Sequence, residues 1–264
     1  MEPTLLHGDC LEIMKTLPNK SVDLFLCDLP YGCLTQQKGA TPFGRNVKGP
    51  SNSGCPWDQK IDLPQFWEQV KRLCKDDHTP VIMFCSTRFG FELYNSNPDW
   101  FRYDLVWNKS RGVSFLSANK MPLRCHEMMY VFSKKGANYY RTDYVGDFPA
   151  YVGSHSAAKV YDLPKPDKEG YKKVDNGKRC VRSVVFVPNE TNKNNKHPTQ
   201  KPAEMYEWLI TRYSKEGDTV LDPTAGSFAS VFAAQKLNRK GIGIELDDTF
   251  YEKAVQVISH APPE

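Results

Sequence analysis

One stretch near the C-terminus constrains the fold more than any other: "VLDPTAGSFASVFAAQKLNRKGIGIELD", residues 220–247. Apolar runs at its two ends predict β-strands, and the segment between them has the length and composition of a helix. A turn containing Pro and Gly joins the first strand to that helix. Adjacent strands joined through a helix run parallel, and parallel sheets are covered by helices on both faces. The stretch therefore predicts an α/β protein.

The rest of the chain repeats this alternation. Apolar patterns predict strands over 4–7, 21–27, 80–85, 103–107, 127–134, 218–222 and 240–246, and helices over 10–17, 63–73, 88–95, 203–213, 227–237 and 249–258. We expect a doubly wound, mostly parallel sheet of the Rossmann-like type. Residues 1–134 and 197–264 would form one domain that includes a loop over 33–56. The polar region 135–196 would be an insertion in it.

The turn and the second strand of the C-terminal unit indicate a nucleotide-binding crevice. Gly226 allows a ligand to approach the backbone, and Glu245 ends the next strand, where an acid can bind ribose hydroxyls. The chain lacks G-x-G-x-x-G and G-x-x-x-x-G-K-[ST] here, which disfavours dinucleotides and P-loop ligands. Asp222 would repel a pyrophosphate but suits a cationic ligand. S-adenosylmethionine, with an ammonium, a sulfonium and a ribose diol, has the matching groups.

Three motifs together resemble one family, the amino-group DNA methyltransferases. The turn at 222–229 resembles their D-P-x-x-G-S-G-T loop, "DLPYG" at 28–32 resembles their catalytic [DNS]-P-P-[YFW] loop, and "HPTQKP" at 197–202 resembles their H-P-T-x-K-P element. The catalytic loop precedes the cofactor loop, which is the order of the β group, whose members are mostly adenine-N6 or cytosine-N4 methyltransferases. The resemblance implies S-adenosylmethionine as cofactor and DNA as partner, with the target base flipped out of the duplex.

The catalytic residues that this resemblance implies are Asp28, Pro30 and Tyr31. An exocyclic amine on an aromatic base is a poor nucleophile, because its lone pair is conjugated into the ring. Two acceptors on its N–H bonds, the Asp28 carboxylate and the Pro30 carbonyl, would free the lone pair and stabilise positive charge on nitrogen. Tyr31 would offer a ring face to the flipped base.

The cofactor site implied by the family comprises two groups of residues. The first group lies at the ends of predicted strands: Asp9, Cys10, Asp222, Pro223, Thr224, Gly226, Ser227 and Glu245. Asp9 is also a good N-cap for the first helix, and both roles can hold together. The second group, His197, Thr199 and Lys201, would contact the carboxylate tail of the cofactor or would simply form a rigid approach to the next helix.

Two residues depart from the family pattern. Leu29 replaces the first proline of D-P-P-Y, and Phe228 replaces the second glycine of G-S-G-T. The first change spares the groups with direct chemistry. The second puts a large ring beside the cofactor loop, where a positive φ is expected, and would narrow the pocket.

The polar region carries the charge expected of a DNA reader. Residues 134–196 hold thirteen basic and seven acidic side chains, a net charge of +6 that exceeds the +4 of the whole chain. The family places target recognition here, although a solvated insertion would have the same composition. The proposed DNA contacts are Lys172, Lys173, Lys178 and Arg179, with Lys38, Arg45 and Lys48 of the earlier loop as the alternative.

Asp28 favours a site-specific DNA adenine-N6 methyltransferase of the restriction-modification type, because cytosine-N4 members usually have Ser there. RNA adenine, DNA cytosine-N4 and a degenerate fold that only binds nucleic acid remain the alternatives. No C-x-x-C pair occurs, and His126 and Glu127 have no third ligand, so we expect no metal. No run approaches the ~20 apolar residues of a membrane span and no signal pattern occurs, which predicts a cytoplasmic protein. The sequence does not give the oligomeric state, and a homodimer is one assembly open to it.

Overall fold

The computed structural model describes residues 2–31, 60–113, 115, 118–145, 152–154, 172–174, 177–189 and 200–259. It divides the chain into two compact units, a larger one of Met1–Tyr140 and Ser183–Glu264 and a smaller one of Arg141–Arg182. The predicted insertion, 135–196, is wider than the smaller unit. The residues directly before and after the smaller unit belong to the larger unit. The Tyr140 amide donates to the Arg212 carbonyl, and residues after 183 form a strand of the main sheet.

The main sheet has eight strands in the order β1-β12-β11-β2-β3-β5-β4-β10. They are β1 (Thr4–His7), β2 (Leu24–Cys27), β3 (Val81–Cys85), β4 (Phe101–Val113), β5 (Arg124–Phe132), β10 (Val184–Phe186), β11 (Thr219–Asp222) and β12 (Lys240–Glu245). All neighbouring pairs are parallel except those that β5 makes with β3 and with β4. The predicted doubly wound, mostly parallel sheet is confirmed.

Helices cover both faces of this sheet. They are α1 (Cys10–Thr16), α2 (Leu63–Leu73), α3 (Thr87–Ser96), α4 (Ala203–Tyr213), α5 (Ala229–Lys236) and α6 (Asp248–Ser259), with a short 3₁₀ turn at Pro98–Trp100. Among the described residues, no helix has the length and apolarity needed to cross a bilayer.

The central strands are apolar throughout because both of their faces are buried. In β2, Phe25 and Cys27 pack in one core with α1, α2 and α3, whereas Leu24 and Leu26 pack in a second core with α4 and α5. All five residues of β3 are fully buried in the same alternating way. Side chains alternate between the faces of a strand, so an unbroken apolar run satisfies both cores.

The smaller unit contains two short antiparallel pairs. Strand β6 (Asp143–Val145) pairs with β9 (Lys178–Cys180), and β7 (Val152–Ser154) pairs with β8 (Lys172–Val174). Arg141 forms a bidentate ion pair with Asp143 at the start of β6. Four basic residues singled out in the sequence lie on these strands: Lys172 and Lys173 on β8, and Lys178 and Arg179 on β9.

Phe228 adopts a backbone conformation that normally favours glycine. Its φ is +58°, and it is the residue at which α5 is capped, so the helix begins at Ala229 rather than at the predicted position 227. The ring is fully buried in a third apolar cluster with Val231 and Ala254. A Cβ at Gly243 would lie 2.6 Å from the Phe228 ring, so that glycine makes room for it.

We predict that Phe228→Gly lowers the free energy of unfolding by about 1–4 kcal/mol. The loss of a buried phenylalanine costs about 3–5 kcal/mol and outweighs the ~1–2 kcal/mol of left-handed strain that glycine relieves. Lys20, exposed and with φ +53°, provides the matched control. Lys20→Gly relieves similar strain with no packing lost, and should raise stability by up to about 1 kcal/mol. Equilibrium denaturation of both variants checks the opposite signs; equal stability of Phe228→Gly and wild type would contradict the balance.

Candidate active site

The crevice of the larger unit lies where the order of the strands reverses. From β2 the chain passes through α2 to β3 on one side, and from β11 it passes through α5 to β12 on the other side. Ligands of open α/β sheets bind at this switch point, beyond the carboxyl ends of the strands. A cavity of about 340 Å³ lies there. Its lining is Gly8–Leu11, Asp28, Pro30, Lys60–Asp62, Gln200, Lys201, Tyr206, Pro223–Ser227, Ile244–Leu246 and Phe250.

The loop after β11 is held by buried hydrogen bonds. The Asp222 carboxylate accepts from the Thr224 amide at 3.1 Å and from the Ser230 hydroxyl. The Ala225 amide donates to the Ile244 carbonyl at 2.8 Å. Burial raises the pKa of Asp222 to about 7, although its two hydrogen bonds oppose the shift. The sequence predicted that Asp222 faces a cationic ligand; the structure turns its carboxylate inward, where it shapes the loop.

Gly226 and Glu245 meet across the crevice. Gly226 has φ +53°, and its amide donates to Glu245 Oε2 at 2.7 Å. The other carboxylate oxygen of Glu245 accepts from the Asp247 amide at 2.8 Å. Burial raises the pKa of Glu245 against these backbone donors. Each oxygen retains a second acceptor position, so the carboxylate can bind a ligand without leaving its protein partners.

Asp9 and Cys10 follow β1, the edge strand beside β12. Asp9 Oδ1 accepts from the Leu11 amide at 2.8 Å and the Glu12 amide at 3.2 Å, so the predicted N-cap of α1 is present. Burial, with a contribution from Asp9, raises the pKa of Cys10 to about 12, which makes it a neutral thiol. Both residues line the cavity, and their contact with a cofactor stays a prediction.

The Phe228 ring does not narrow this cavity. It is fully buried, lies 6.3 Å from the Tyr251 ring and is outside the lining. Leu29 is buried in the core between α1, α2 and α3 with only 2% of its surface exposed. Both departures from the family pattern therefore face apolar cores, and the sequence-based expectation that Phe228 narrows the pocket is wrong.

Asp28 has a hydrogen-bond partner on each carboxylate oxygen. The Tyr31 hydroxyl donates to Oδ1 at 2.9 Å, and the Lys201 ammonium donates to Oδ2 at 2.5 Å. The sequence predicted Lys201 as a contact for the cofactor's carboxylate tail; its ammonium binds the predicted catalytic acid instead. Lys201 is nevertheless part of the cavity lining.

Lys201 belongs to a longer row of alternating charges. Its Nζ lies 3.6 Å from Glu127 Oε2, and Glu127 Oε1 accepts from Lys109. Burial alone would lower the pKa of Lys201, but Asp28 and Glu127 hold it above its ordinary value. Burial alone would likewise raise the pKa of Glu127, but the two lysines hold it lower. Lys201 and Glu127, in the middle of the row, are therefore charged, and each cation of the row compensates a carboxylate that would otherwise be costly to bury.

Tyr31 is fixed by two contacts. Its ring stacks on Phe89 with the centroids 5.0 Å apart, and its hydroxyl binds Asp28. Burial and the neighbouring Asp28 raise the pKa of Tyr31 well above its ordinary range, so the phenol stays a hydrogen-bond donor. Because Phe89 covers one face of the ring, only the opposite face remains for the predicted stacking on a base.

Two buried polar atoms of the cavity lining lack a hydrogen-bond partner within the described residues. They are Thr224 Oγ1 and Gln200 Oε1. Buried polar atoms normally have partners, so these two point to a polar ligand in the cavity. Gln200 was not predicted from the sequence, although it lies within "HPTQKP". Tyr206 and Phe250 were not predicted either, because the position of a residue in a helix gives no sign that it faces a crevice.

Five other predicted contacts are not among the residues that the structure describes. His197 and Thr199 fall outside the described residues, as do Lys38, Arg45 and Lys48. Within the described part of the chain, no group of three His, Cys, Asp or Glu side chains could hold a metal ion.

Comparisons with known proteins agree with this architecture. A family model described as DNA methylase, of the N6/N4 methyltransferase type, matches residues 22–256. The type II methyltransferase M.HinfI of Haemophilus influenzae is 26% identical over 98% of this chain and 69% of its own length. The DNA adenine methyltransferase YhdJ of Escherichia coli is 28% identical over 97% of this chain and 84% of its own.

Solved structures share the fold at low sequence identity. The PvuII DNA methyltransferase, described as cytosine-N4-specific, has a TM-score of 0.64 with 14% identity and covers 100% of this chain and 89% of its own. The M1.HpyAVI protein, in complex with S-adenosylmethionine (SAM), has a TM-score of 0.59 with 18% identity over 97% and 99% of the two chains.

We predict that Asp222 makes stability fall as pH rises from about 4 to about 7. Its native pKa of about 7 lies above the ordinary 3.8, so the native state keeps a proton that the unfolded chain has already lost. The stabilisation that protonated Asp222 provides is fully present below the unfolded-state pKa and is lost as the pH rises through the native pKa. The free energy of unfolding therefore changes by about 4 kcal/mol at most. Denaturation of Asp222→Asn across this range should show the decline removed, with Asp99→Asn, an exposed acid, as control. An unchanged pH profile in Asp222→Asn would contradict the assignment.

Proposed function

The chain belongs to the N6/N4 DNA methylase family, and we propose from this premise that it transfers a methyl group from S-adenosylmethionine to the exocyclic N6 of adenine in DNA. The observation that carries the proposal is one shared cavity. Asp28 and Pro30, the predicted amine acceptors, line the same space as Asp9, Gly226 and Glu245, the predicted cofactor contacts. Transfer of a methyl group needs donor and acceptor in one place, and this cavity provides it.

The lining residues fit S-adenosylmethionine, which supplies an electrophilic methyl group on its sulfonium when bound. The Glu245 carboxylate has free acceptor positions for the ribose diol. Thr224 Oγ1 and Gln200 Oε1, the two unpartnered buried atoms of the described cavity lining, suit the polar groups of the cofactor. The neutral Cys10 thiol and the Asp9 carboxylate at the start of α1 would lie beside its adenine. His197 and Thr199 remain proposed contacts for its carboxylate tail.

Asp28 and Pro30 would activate the target amine. The Asp28 carboxylate would accept a hydrogen bond from one N–H group of the amine, and the Pro30 carbonyl would accept from the other. The lone pair of the amine nitrogen would then turn from the aromatic ring towards the methyl group. The nitrogen would gain positive charge as its bond to the methyl carbon forms and the bond from that carbon to sulfur breaks, which leaves a neutral thioether. The carboxylate would stabilise the charge on nitrogen. The nitrogen then loses one proton, to Asp28 or to water. Pro30 has a fixed φ, which keeps its carbonyl in position.

Lys201 acts as the positioning residue for Asp28. It holds one carboxylate oxygen, and Tyr31 holds the other, so the carboxylate is oriented before the base arrives. A preorganised acceptor needs little rearrangement during the reaction, which is where electrostatic catalysis gains its effect.

Adenine is favoured over cytosine by Asp28 itself, because the cytosine-N4 members that the chain resembles usually have Ser at this position. YhdJ, a relative over nearly the whole chain, is named an adenine methyltransferase. The base would have to leave the duplex to reach Asp28 inside the crevice. The alternative of a degenerate, non-catalytic fold loses its main motivation, because Leu29 and Phe228 are both buried outside the cavity.

We further propose that the 135–196 region selects the DNA sequence. Its positive charge suits phosphates, and Lys172, Lys173, Lys178 and Arg179 are the proposed contacts. Loop residues Lys38, Arg45 and Lys48 remain the alternative DNA contacts.

We predict that Asp28→Ala lowers methyl transfer to DNA by at least about 10²–10³-fold, because the variant loses the charged acceptor for the amine. Cofactor affinity should change little, since Asp28 binds the target rather than the cofactor. Transfer of labelled methyl from S-adenosylmethionine to DNA measures the first effect, and calorimetry with the cofactor measures the second. Normal turnover by Asp28→Ala would refute the mechanism.

The complementary prediction concerns Glu245→Gln. Cofactor binding should weaken by about 1–3 kcal/mol, because the ribose diol loses a charged acceptor. DNA binding in the absence of cofactor should stay at the wild-type level, and anisotropy of labelled DNA provides that control. If calorimetry gave the wild-type cofactor affinity for Glu245→Gln, the cofactor end of the cavity would be misassigned.

A further inference from the structure

The β4–β5 hairpin continues beyond the sheet that contains it. Strand β5 pairs with β3 as far as Met128, and β10 pairs with β4 as far as Asn108. Strands β4 and β5 continue past these points to the pair Val113↔Arg124, with a register shift on the way. The predicted strand over 103–107 was shorter, because the apolar pattern ends where the hairpin leaves the core.

The hairpin leaves the sheet on the side of the candidate active site. Strand β5 is antiparallel to both β3 and β4, so β4 and β3 end at the same edge, where Asp28 follows β2. Glu127 of β5 is within the charged row that holds Asp28. Arg124 donates to the Thr87 hydroxyl at 3.2 Å, at the start of the helix that follows β3. The outer part of the hairpin is therefore tied to the catalytic edge.

The part of the hairpin between Asp104 and Glu127 carries only positive charge. Residues 105–126 contain Lys109, Arg111, Lys120 and Arg124 and no acidic residue, a charge of +4 that equals the net charge of the whole chain. Lys109 and Arg124 bind protein groups nearer the sheet. Arg111 and Lys120 lie at the outer end, where both are exposed to solvent. An acid-free cationic projection beside a catalytic crevice is the electrostatic pattern of a nucleic-acid contact.

Apolar side chains are exposed at the same end. Phe115 is 77% exposed, Val113 43%, and Met121 and Leu123 38% each. Single exposed apolar residues are ordinary, but these four flank the two exposed cations. Aromatic rings stack on bases, and apolar side chains wedge between base steps, so the combination suits DNA better than a purely cationic patch would.

We propose that the hairpin tip, defined as Arg111, Val113, Phe115, Lys120, Met121 and Leu123, is a DNA-contact surface of the catalytic unit. Phe115 packs against bases beside the target, and Arg111 and Lys120 bind phosphates. This inference rests on the proposed function, and it adds a surface separate from the region proposed to select the DNA sequence. The absence of acids across 105–126 favours a polyanion over a second copy of this chain as the occupant.

Two variants test the two parts of the contact. Phe115→Ala should weaken binding to a labelled duplex, carrying a site that the wild-type protein methylates, by roughly 5- to 150-fold with the salt dependence unchanged. The double variant Arg111→Gln/Lys120→Gln should flatten the log–log salt dependence by about 1.8, since each phosphate contact contributes about 0.9. Phe115 is highly exposed, so its removal should leave the fold intact.

Matched controls lie at the opposite end of the structure. Lys236→Gln/Lys240→Gln removes two exposed lysines at the sheet edge opposite the active site, and Val257→Ala removes an exposed apolar side chain of α6. Both should keep wild-type DNA affinity and salt slope. Cofactor calorimetry should give wild-type affinity for every variant.

The outcomes separate this inference from the function beneath it. If the wild-type protein neither binds nor methylates DNA, the proposed function fails and the inference fails with it. If wild type does both and the two tip variants match it, or match the controls, only the inference is overturned. It is also overturned if Phe115→Ala loses cofactor binding, or if it changes the oligomeric mass while DNA affinity stays at the wild-type level.

Discussion

The Lys201 ammonium lies inside the protein between the carboxylates of Asp28 and Glu127, and the site depends on this arrangement. Its partners come from the end of β2 and from β5, with Lys109 of β4 closing the row. A buried charge without its partner is strongly unfavourable, so these segments have to close together. The same contact orients Asp28. One set of charges thus ties the sheet's central strands to the start of α4 and prepares the acceptor of the proposed reaction.

Sheet topology brings the two halves of the site together. Strands β11 and β2 are neighbours although nearly 200 residues separate them. The loops that follow these two strands diverge at the switch point. The loop after β11 then needs internal support, because it spans the mouth of the crevice. Asp222 supplies it by turning inward to Ser230 and Thr224, and Glu245 supplies it by accepting from Gly226. Asp222 and Glu245 therefore both stabilise the loop by accepting hydrogen bonds from it, and Glu245 can also bind a ligand.

The two departures from the family pattern are explained by packing. Leu29 fills the core beneath the catalytic loop, and Phe228 fills a separate cluster against Gly243. Phe228 keeps the left-handed backbone that the loop requires, and burial of its ring offsets the strain. The cavity is therefore shaped by the backbone of the loop rather than by the side chains of Leu29 and Phe228. The exposed aromatic ring of the larger unit's hairpin, Phe115, has the opposite environment, which is why we assign it to a partner.

The sequence alone determined the alternation of strands and helices, the doubly wound sheet, the cap at Asp9 and the two loops that meet in the crevice. These features follow from apolar periodicity and turn chemistry, which act over a few neighbouring residues. Only the tertiary structure decided that Lys201 binds Asp28, that Asp222 faces inward, that Gln200 lines the cavity and that the β4–β5 hairpin extends past the sheet. Each of these depends on the distance between residues remote in the chain and on the direction of a side chain, and no local pattern encodes either quantity.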